Sequence, residues 1–300
     1  MNDELNSELE VWRAAQAYAG LFGEIPSSFT IAARALASDA DKGTELSTQS
    51  KFQLDRLLKS EMLSSPLEAF ISVHKQYLPK IPTSLTNLSE IIGFRSFGVL
   101  LAVIYYHKRV KKLIPSEEWA YILPFEMRDI DIATLLGLII RNLNFERTLT
   151  SIAGRYFALG AFFLHDKKGY TEYRRILKSK DFIFDTDWET ERLGCSTAHI
   201  ASSLFQNFGL GVAVVDGLSE GLLNSQGAAP KEKAPYGYWL SNKWVRSLVT
   251  TGKEPDMAHK PQYYPDESEL SKLRNEISSL KNAQSGRSRW LDIGPADLSE

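Results

Sequence analysis

Cysteine occurs once in 300 residues, as Cys195, which excludes an internal disulfide framework and any zinc or iron–sulfur site built from several thiolates. Histidine is scarce too: His74, His107, His165, His199 and His259 are the whole stock for metal or acid–base chemistry. Neither sign of charge is in excess, with 35 Lys and Arg against 37 Asp and Glu and a net charge of -2. That balance removes the basic footprint of a nucleic-acid binder and the polybasic face of a membrane-surface protein. Long hydrophobic runs are missing. The longest, Phe97 to Tyr106, spans about ten residues, half of what a bilayer crossing needs. The opening Met-Asn-Asp-Glu-Leu is acidic and no apolar core follows it, so no secretory signal is expected and the cytoplasm is the expected location. Phosphate-cradling glycine loops and HExxH are likewise absent.

What remains is a chain that is 43% hydrophobic and patterned for helices, with no sustained period-two alternation. Leu5, Leu9, Trp12, Ala15, Ala19 and Phe22 recur at three and four residues and make one apolar face before Gly23 and Pro26. Further helices are expected over about 28–38, from Phe52 to the break at Pro66, over 67–77 and over 96–110. Polar residues 38–50 read as a loop. Thr83 or Ser84 can cap a short helix that Gly93 ends in a left-handed conformation. The basic run Lys108 to Lys112 reads as charge complementing a helix C-terminus. Helices follow within 117–147, then over 152–165, 170–177 and 189–193. Ser196 is the expected N-cap and Gly209 the expected C-cap of the next, and another covers 212–223. Residues 224–237, rich in Gly, Ala, Pro and Lys, read as a linker. Helices over 238–249 and 267–283 come next. The second carries a narrow stripe of Leu270, Leu273, Ile277 and Leu280 expected to pack back on the body, and the last fifteen residues are expected to be loose. The predicted class is all-α.

One doublet could bind a metal: His165-Asp166, at the end of an apolar helix in Gly160-Ala-Phe-Phe-Leu-His-Asp-Lys-Lys-Gly169. An imidazole nitrogen and a carboxylate oxygen at a helix end can both reach a divalent cation. In this setting the doublet resembles the signature of the HD superfamily of metal-dependent phosphohydrolases, and the surrounding stretches resemble the related HDOD output domain. Glu24-Ile-Pro-Ser-Ser-Phe is similar to that family's proline-containing opening, and Leu78-Pro-Lys-Ile-Pro-Thr-Ser-Leu through Ile91-Ile-Gly93 to its I-x-S-L-x-x-A-I-x-x-L-G element. Phe163-Leu-His165-Asp166 is similar to G-L-L-H-D-I-G. Glu189 to Leu210 is similar to E-x-x-x-L-G-x-x-H-A followed by L-x-x-W-G-L. Together these cover roughly residues 24–223.

The resemblance implies an HD-like multi-helix bundle. Residues 1–23 would be an N-terminal helix packing on the body, 24–223 the HDOD-like domain, and 224–300 a linker with a C-terminal helical extension. It implies a bacterial, cytoplasmic signal-transduction role as a non-catalytic protein-interaction module, with signalling proteins as partners. No cofactor, nucleic acid or membrane is implied, and no oligomeric state is fixed. The departures point the same way: Thr197 stands where the family has histidine, His199 falls two positions later, Arg128, Asp129 and Asp131 occupy the upstream ligand region, and Glu220-Gly221 the downstream one. The alternative is a divergent phosphohydrolase acting on a nucleotide or cyclic dinucleotide. In that case His165 and Asp166 hold Mg2+ or Mn2+ with Asp129 or Asp131 as co-ligands. A helical small-molecule sensor with an apolar pocket is a third class.

Two ligands compensate an ion's lost hydration poorly. His165 is therefore expected to bond within the body, and Asp166 to accept from a backbone N–H or from Lys167 or Lys168. His199 is expected at the edge of the core and Cys195 as a small buried residue, although its place before a helix could also lower its pKa. Tyr105, Tyr106, Trp119 and Tyr121 are expected to pack in the core, with a pocket lining as the other possibility.

Overall fold

A computed structural model of the chain describes residues 2–43, 45–140, 142–180, 183–223, 229–255, 265–282 and 287–295. The first five residues of the expected linker (224–228) and His259 lie outside them. Every regular element among the described residues is helical. In chain order they are α1 (Asn2–Gly20), α2 (Ser27–Lys42), α3 (Thr48–Leu57), α4 (Glu61–His74), α5 (Leu85–Ile92), α6 (Phe94–Leu113), α7 (Ser116–Trp119), α8 (Leu123–Ile139), α9 (Phe145–His165), α10 (Lys167–Ser179), α11 (Thr186–Leu193), α12 (Thr197–Phe208), α13 (Val212–Leu223), α14 (Lys233–Thr250) and α15 (Glu267–Asn282), then a 3-10 segment, Arg287–Asp292. No helix among the described residues is long and apolar enough to cross a membrane.

The bundle is organised around α9. From Phe145 to Phe163 every residue of this helix except Arg147 is buried, so it is enclosed by its neighbours nearly all round. It packs against α8, α12, α6, α14, α10, α1 and α13. Small residues let its neighbours approach closely. A Cβ at Gly154 would lie 2.9 Å from the Ala201 Cβ and 2.8 Å from the Phe205 ring, so this glycine sets the α9–α12 distance. Gly221 does the same between α13 and α14, where a Cβ would stand 2.6 Å from the Pro235 carbonyl oxygen. One continuous set of buried apolar side chains runs from Ala15 to Leu291.

Local signals placed several boundaries. Ser84 caps α5 by accepting from the Asn87 amide, and Gly93 ends that helix at φ 93 and ψ 144, a positive φ but not the left-handed helical conformation expected. Ser196 and Gly209 bound α12. The narrow stripe of α15 is buried through Leu270, Leu273 and Ile277, and the helix lies on α8. Three expectations are corrected. The polar stretch after Ser38 does not begin as a loop, because α2 continues to Lys42. Its Asp39 is buried and accepts the Ser47 amide at 2.9 Å, so polarity there ties α2 to the start of α3. Pro66 does not end a helix but lies inside α4, where it shares the buried face of Met62, Leu63, Leu67 and Phe70. That packing offsets one lost backbone hydrogen bond. The last fifteen residues are not all loose: Trp290 and Leu291 are fully buried, and the Trp290 ring meets Phe70 edge-on at 5.1 Å. Their 3-10 segment lies on α4, α8 and α6.

Candidate functional site

The His165-Asp166 doublet sits where α9 gives way to α10, and Asp166 is the residue between them. Its extended backbone lets the side chain turn back over the new helix. Oδ1 accepts from the Gly169 amide at 2.9 Å, which makes Asp166 the N-cap of α10. Oδ2 accepts from Arg192 of α11 at 3.2 Å. The Gly169 N–H, and after it the Arg192 charge, hold this carboxyl below the usual range. Of the expected partners the backbone N–H is the one found, and the charged partner is Arg192 and not Lys167 or Lys168. His165 lies edge-on to Tyr18 of α1, with ring centroids 4.8 Å apart. Burial raises the Tyr18 hydroxyl to about 12, so at neutral pH it is a phenol.

The suggested co-ligands lie elsewhere. Asp129, on α8, accepts from the Tyr156 hydroxyl at 2.6 Å and from Arg128 Nε at 2.8 Å. Tyr156 stands nine residues before His165 on the same straight helix, a separation of roughly 13 Å. Asp131 is buried farther along α8. The structure keeps His165 and Asp166 adjacent and does not bring Asp129 or Asp131 to them. No group of three or more His, Cys, Asp or Glu among the described residues could hold a metal ion. The donor set does not fit a divalent cation.

The last motif is structural as well. Buried Glu189 of α11 accepts from the Tyr173 hydroxyl, from the Thr197 amide at 2.6 Å and from Thr197 Oγ1 at 2.8 Å. Thr197, where the resemblance has histidine, thus anchors α12 to α11. His199 completes a capping box: its Nδ1 accepts from the Ser196 amide at 3.3 Å while its own amide donates to Ser196 Oγ. Burial lowers this imidazole to about 4, so it is neutral, and Trp12 packs edge-on against it. Cys195 is buried and its thiol is pushed up to about 12 by that burial, with the Glu189 charge adding to it, so it is no activated nucleophile. Tyr105, Tyr106 and Trp119 are core residues, but Tyr121 is 59% exposed and stacks on Arg174.

Two arrangements had no local signal in the sequence. The first is a clasp on the 3-10 segment. His107 of α6, fully buried, lies 3.0 Å from Glu126 Oε1 through Nδ1 and 3.0 Å from Asp292 Oδ1 through Nε2. Trp119 Nε1 donates to the other Glu126 oxygen at 2.9 Å. Lys111 pairs with Asp292 at 2.6 Å, and buried Lys108 donates to the Ile293 and Gly294 carbonyls. The basic run is thus no solvated cap; it holds the C-terminal segment. Burial alone would lower the His107 pKa, but the Glu126 charge and the bonds to Asp292 and Glu126 outweigh it and raise the imidazole to about 9.

The second is an open cavity of about 670 Å3 at the far end of α9, lined among others by Asp41, Gly93, Arg95, Asn144, Glu146 and Arg147. Arg95 pairs with Asp41 of α2, and Glu146 is buried. Asn144, the one described non-glycine residue at positive φ (65°), caps α9 here by accepting the Glu146 amide at 2.9 Å.

No protein-family model matches this chain, and no curated protein matches it. Among solved structures it is similar in fold to one named "Putative phosphohydrolase", from Shewanella amazonensis SB2B. The two share 13% sequence identity at a TM-score of 0.52, over 93% of this chain and 92% of the other. At that identity the likeness is one of fold: the chain has the all-helical architecture of the Shewanella protein along nearly its whole length.

Proposed function

We propose that this protein is a regulatory module of the HDOD type that acts through contacts with bacterial signalling proteins in the cytoplasm, and not by hydrolysis. The observation that supports this reading is the state of the doublet. Asp166 caps α10 and pairs with Arg192, and His165 packs on Tyr18. Both side chains carry the join between α9, α10, α11 and α1. A catalytic divalent ion needs further carboxylates or imidazoles converging on the same point. The nearest suggested co-ligand, Asp129, is bound to Tyr156 about 13 Å back along α9. The competing phosphohydrolase reading rests on a fold likeness, and a fold carries no chemistry without its site.

The test is a calorimetric titration with Mn2+ of the wild type and of a His165→Ala, Asp166→Ala double variant. It is paired with release of nitrophenolate from bis(p-nitrophenyl) phosphate. Neither protein should show a saturable one-to-one site, and hydrolysis should match the buffer. The double variant should remain folded, less stable by about 1 kcal/mol for the lost cap. A stoichiometric Mn2+ site that the double substitution abolishes would overturn the proposal.

A further inference from the structure

The cavity at the N-terminal end of α9 is far from the doublet. A 21-residue helix separates them, about 30 Å. Two guanidinium groups line it, and both act electrostatically on the same buried carboxyl, that of Glu146. Arg147 makes no hydrogen bond or ion pair among the described residues, although its Cδ and guanidinium lie close to Gly237. Arg95 has one partner, Asp41, whose side chain is 62% exposed and free to swing away. The first turn of α6 opens on the same space, and no side chain caps it. Its leading amides therefore lack protein acceptors and present the positive end of a 20-residue helix.

Glu146 supplies a second, independent pointer. The side chain is only 8% exposed, yet its one hydrogen bond is a long one, from the Tyr238 hydroxyl to Oε1 at 3.3 Å. Oε2 accepts no hydrogen bond from the described residues. That carboxyl oxygen, on the wall of an open cavity, is left available to a ligand donor. The site therefore combines donors for an anion with one acceptor beside them. Its volume falls within the usual range for small-molecule pockets.

We propose that this cavity binds a small organic phosphomonoester, with Arg95, Arg147 and the first-turn amides of α6 taking the phosphate oxygens and Glu146 accepting from a hydroxyl or amino group on the ligand body. Guanidinium forks match phosphate geometry, and the uncapped amides add directional donors. Asp41 is the group the phosphate displaces. Burial raises the Glu146 pKa more than Arg95, Arg147 and the Tyr238 hydroxyl lower it, which reduces the repulsion an incoming dianion meets. The inference does not depend on the regulatory reading, because the two places share no side chain.

The test uses the full chain and two probes, inorganic phosphate and AMP, titrated calorimetrically at low ionic strength. Both should bind saturably and compete with one another, AMP more tightly, and added salt should weaken both. Arg147→Ala and Arg95→Ala should each weaken phosphate at least tenfold, Arg147→Lys less. Glu146→Gln should narrow the advantage of AMP over phosphate. His165→Ala, at the other end of α9, should change nothing. Circular dichroism and melting confirm that each variant is folded. No saturable phosphate binding by the wild type, or binding that survives Arg95→Ala, Arg147→Ala in a folded double variant, overturns the proposal.

Discussion

At the residue scale, the most consequential side chain is His107, which the sequence offered as one histidine in an apolar helix. Its imidazole is held between Glu126 of α8 and Asp292 of the 3-10 segment, with Lys108 and Lys111 of its own helix beside it and Trp119 fixing Glu126. His107→Ala leaves Glu126 buried beside one remaining donor. Breaking a buried pair in this way typically costs about 3–5 kcal/mol, to be read from urea unfolding. The pH dependence follows from the shifts. A histidine raised from 6.5 to about 9 contributes stability that is complete below pH 6.5 and lost as pH rises through 9. Asp292, lowered from 3.8 to about 2 by His107 and Lys111 against its own burial, contributes above pH 3.8 and loses that contribution as pH falls through 2. Lys108, lowered to about 8 by burial, works in the opposite sense, since its penalty is relieved as pH rises from 8 towards 10.5. Wild type and Asp292→Asn should therefore differ most between pH 4 and 6.5. The gap should close on the alkaline side, and a gap that widens there would contradict the assignment.

At the scale of elements, the sequence was legible where the signal was short. Ser196 and Gly209 bound α12, and Ser84 and Gly93 bound α5, because a cap acts on residues within one turn of itself. It was misleading where a polar residue served a distant group: Asp39 reads as solvent-seeking until Ser47 is seen to donate to it. The spacing of α9 from α12 is a similar case. An alanine is ordinarily a better helix former than glycine, yet Gly154→Ala should destabilise by about 1–3 kcal/mol, because the new methyl would meet Ala201 and Phe205. Chemical denaturation of that single variant measures it, and a gain in stability would show that α12 can move aside. The candidate site divides along the same line. Its doublet was visible because two letters are adjacent, whereas its partners, Tyr18 and Arg192, come from other helices.

At the scale of the whole molecule, the final described residues close the structure. Trp290 is 1% exposed against Phe70 of α4, and the same turn supplies Asp292 to α6. Trp290→Ala should cost roughly 3–5 kcal/mol, the range for a large buried aromatic. The segment should also become the first point of attack in limited proteolysis, well before the α9 region is cut. Equal cleavage rates in wild type and variant would mean that the segment does not hold by this side chain. None of this could be read from local pattern: a tail rich in Ser, Gly and charge looks solvated until the pocket that receives its tryptophan is known.

The clasp also has a temporal side. His107 and Asp292 are 185 residues apart in the chain. At synthesis rates of about 5–20 residues per second, roughly 10–40 s separate the appearance of the cationic half from that of its partner. For that interval His107 has Glu126 but not Asp292, and Lys108 lacks the carbonyls of Ile293 and Gly294 that receive it. The early helices cannot close over that face without stranding charge. A nascent chain stalled short of Asp292 would keep an open, basic seam on α6, a mark by which an unfinished molecule differs from a finished one.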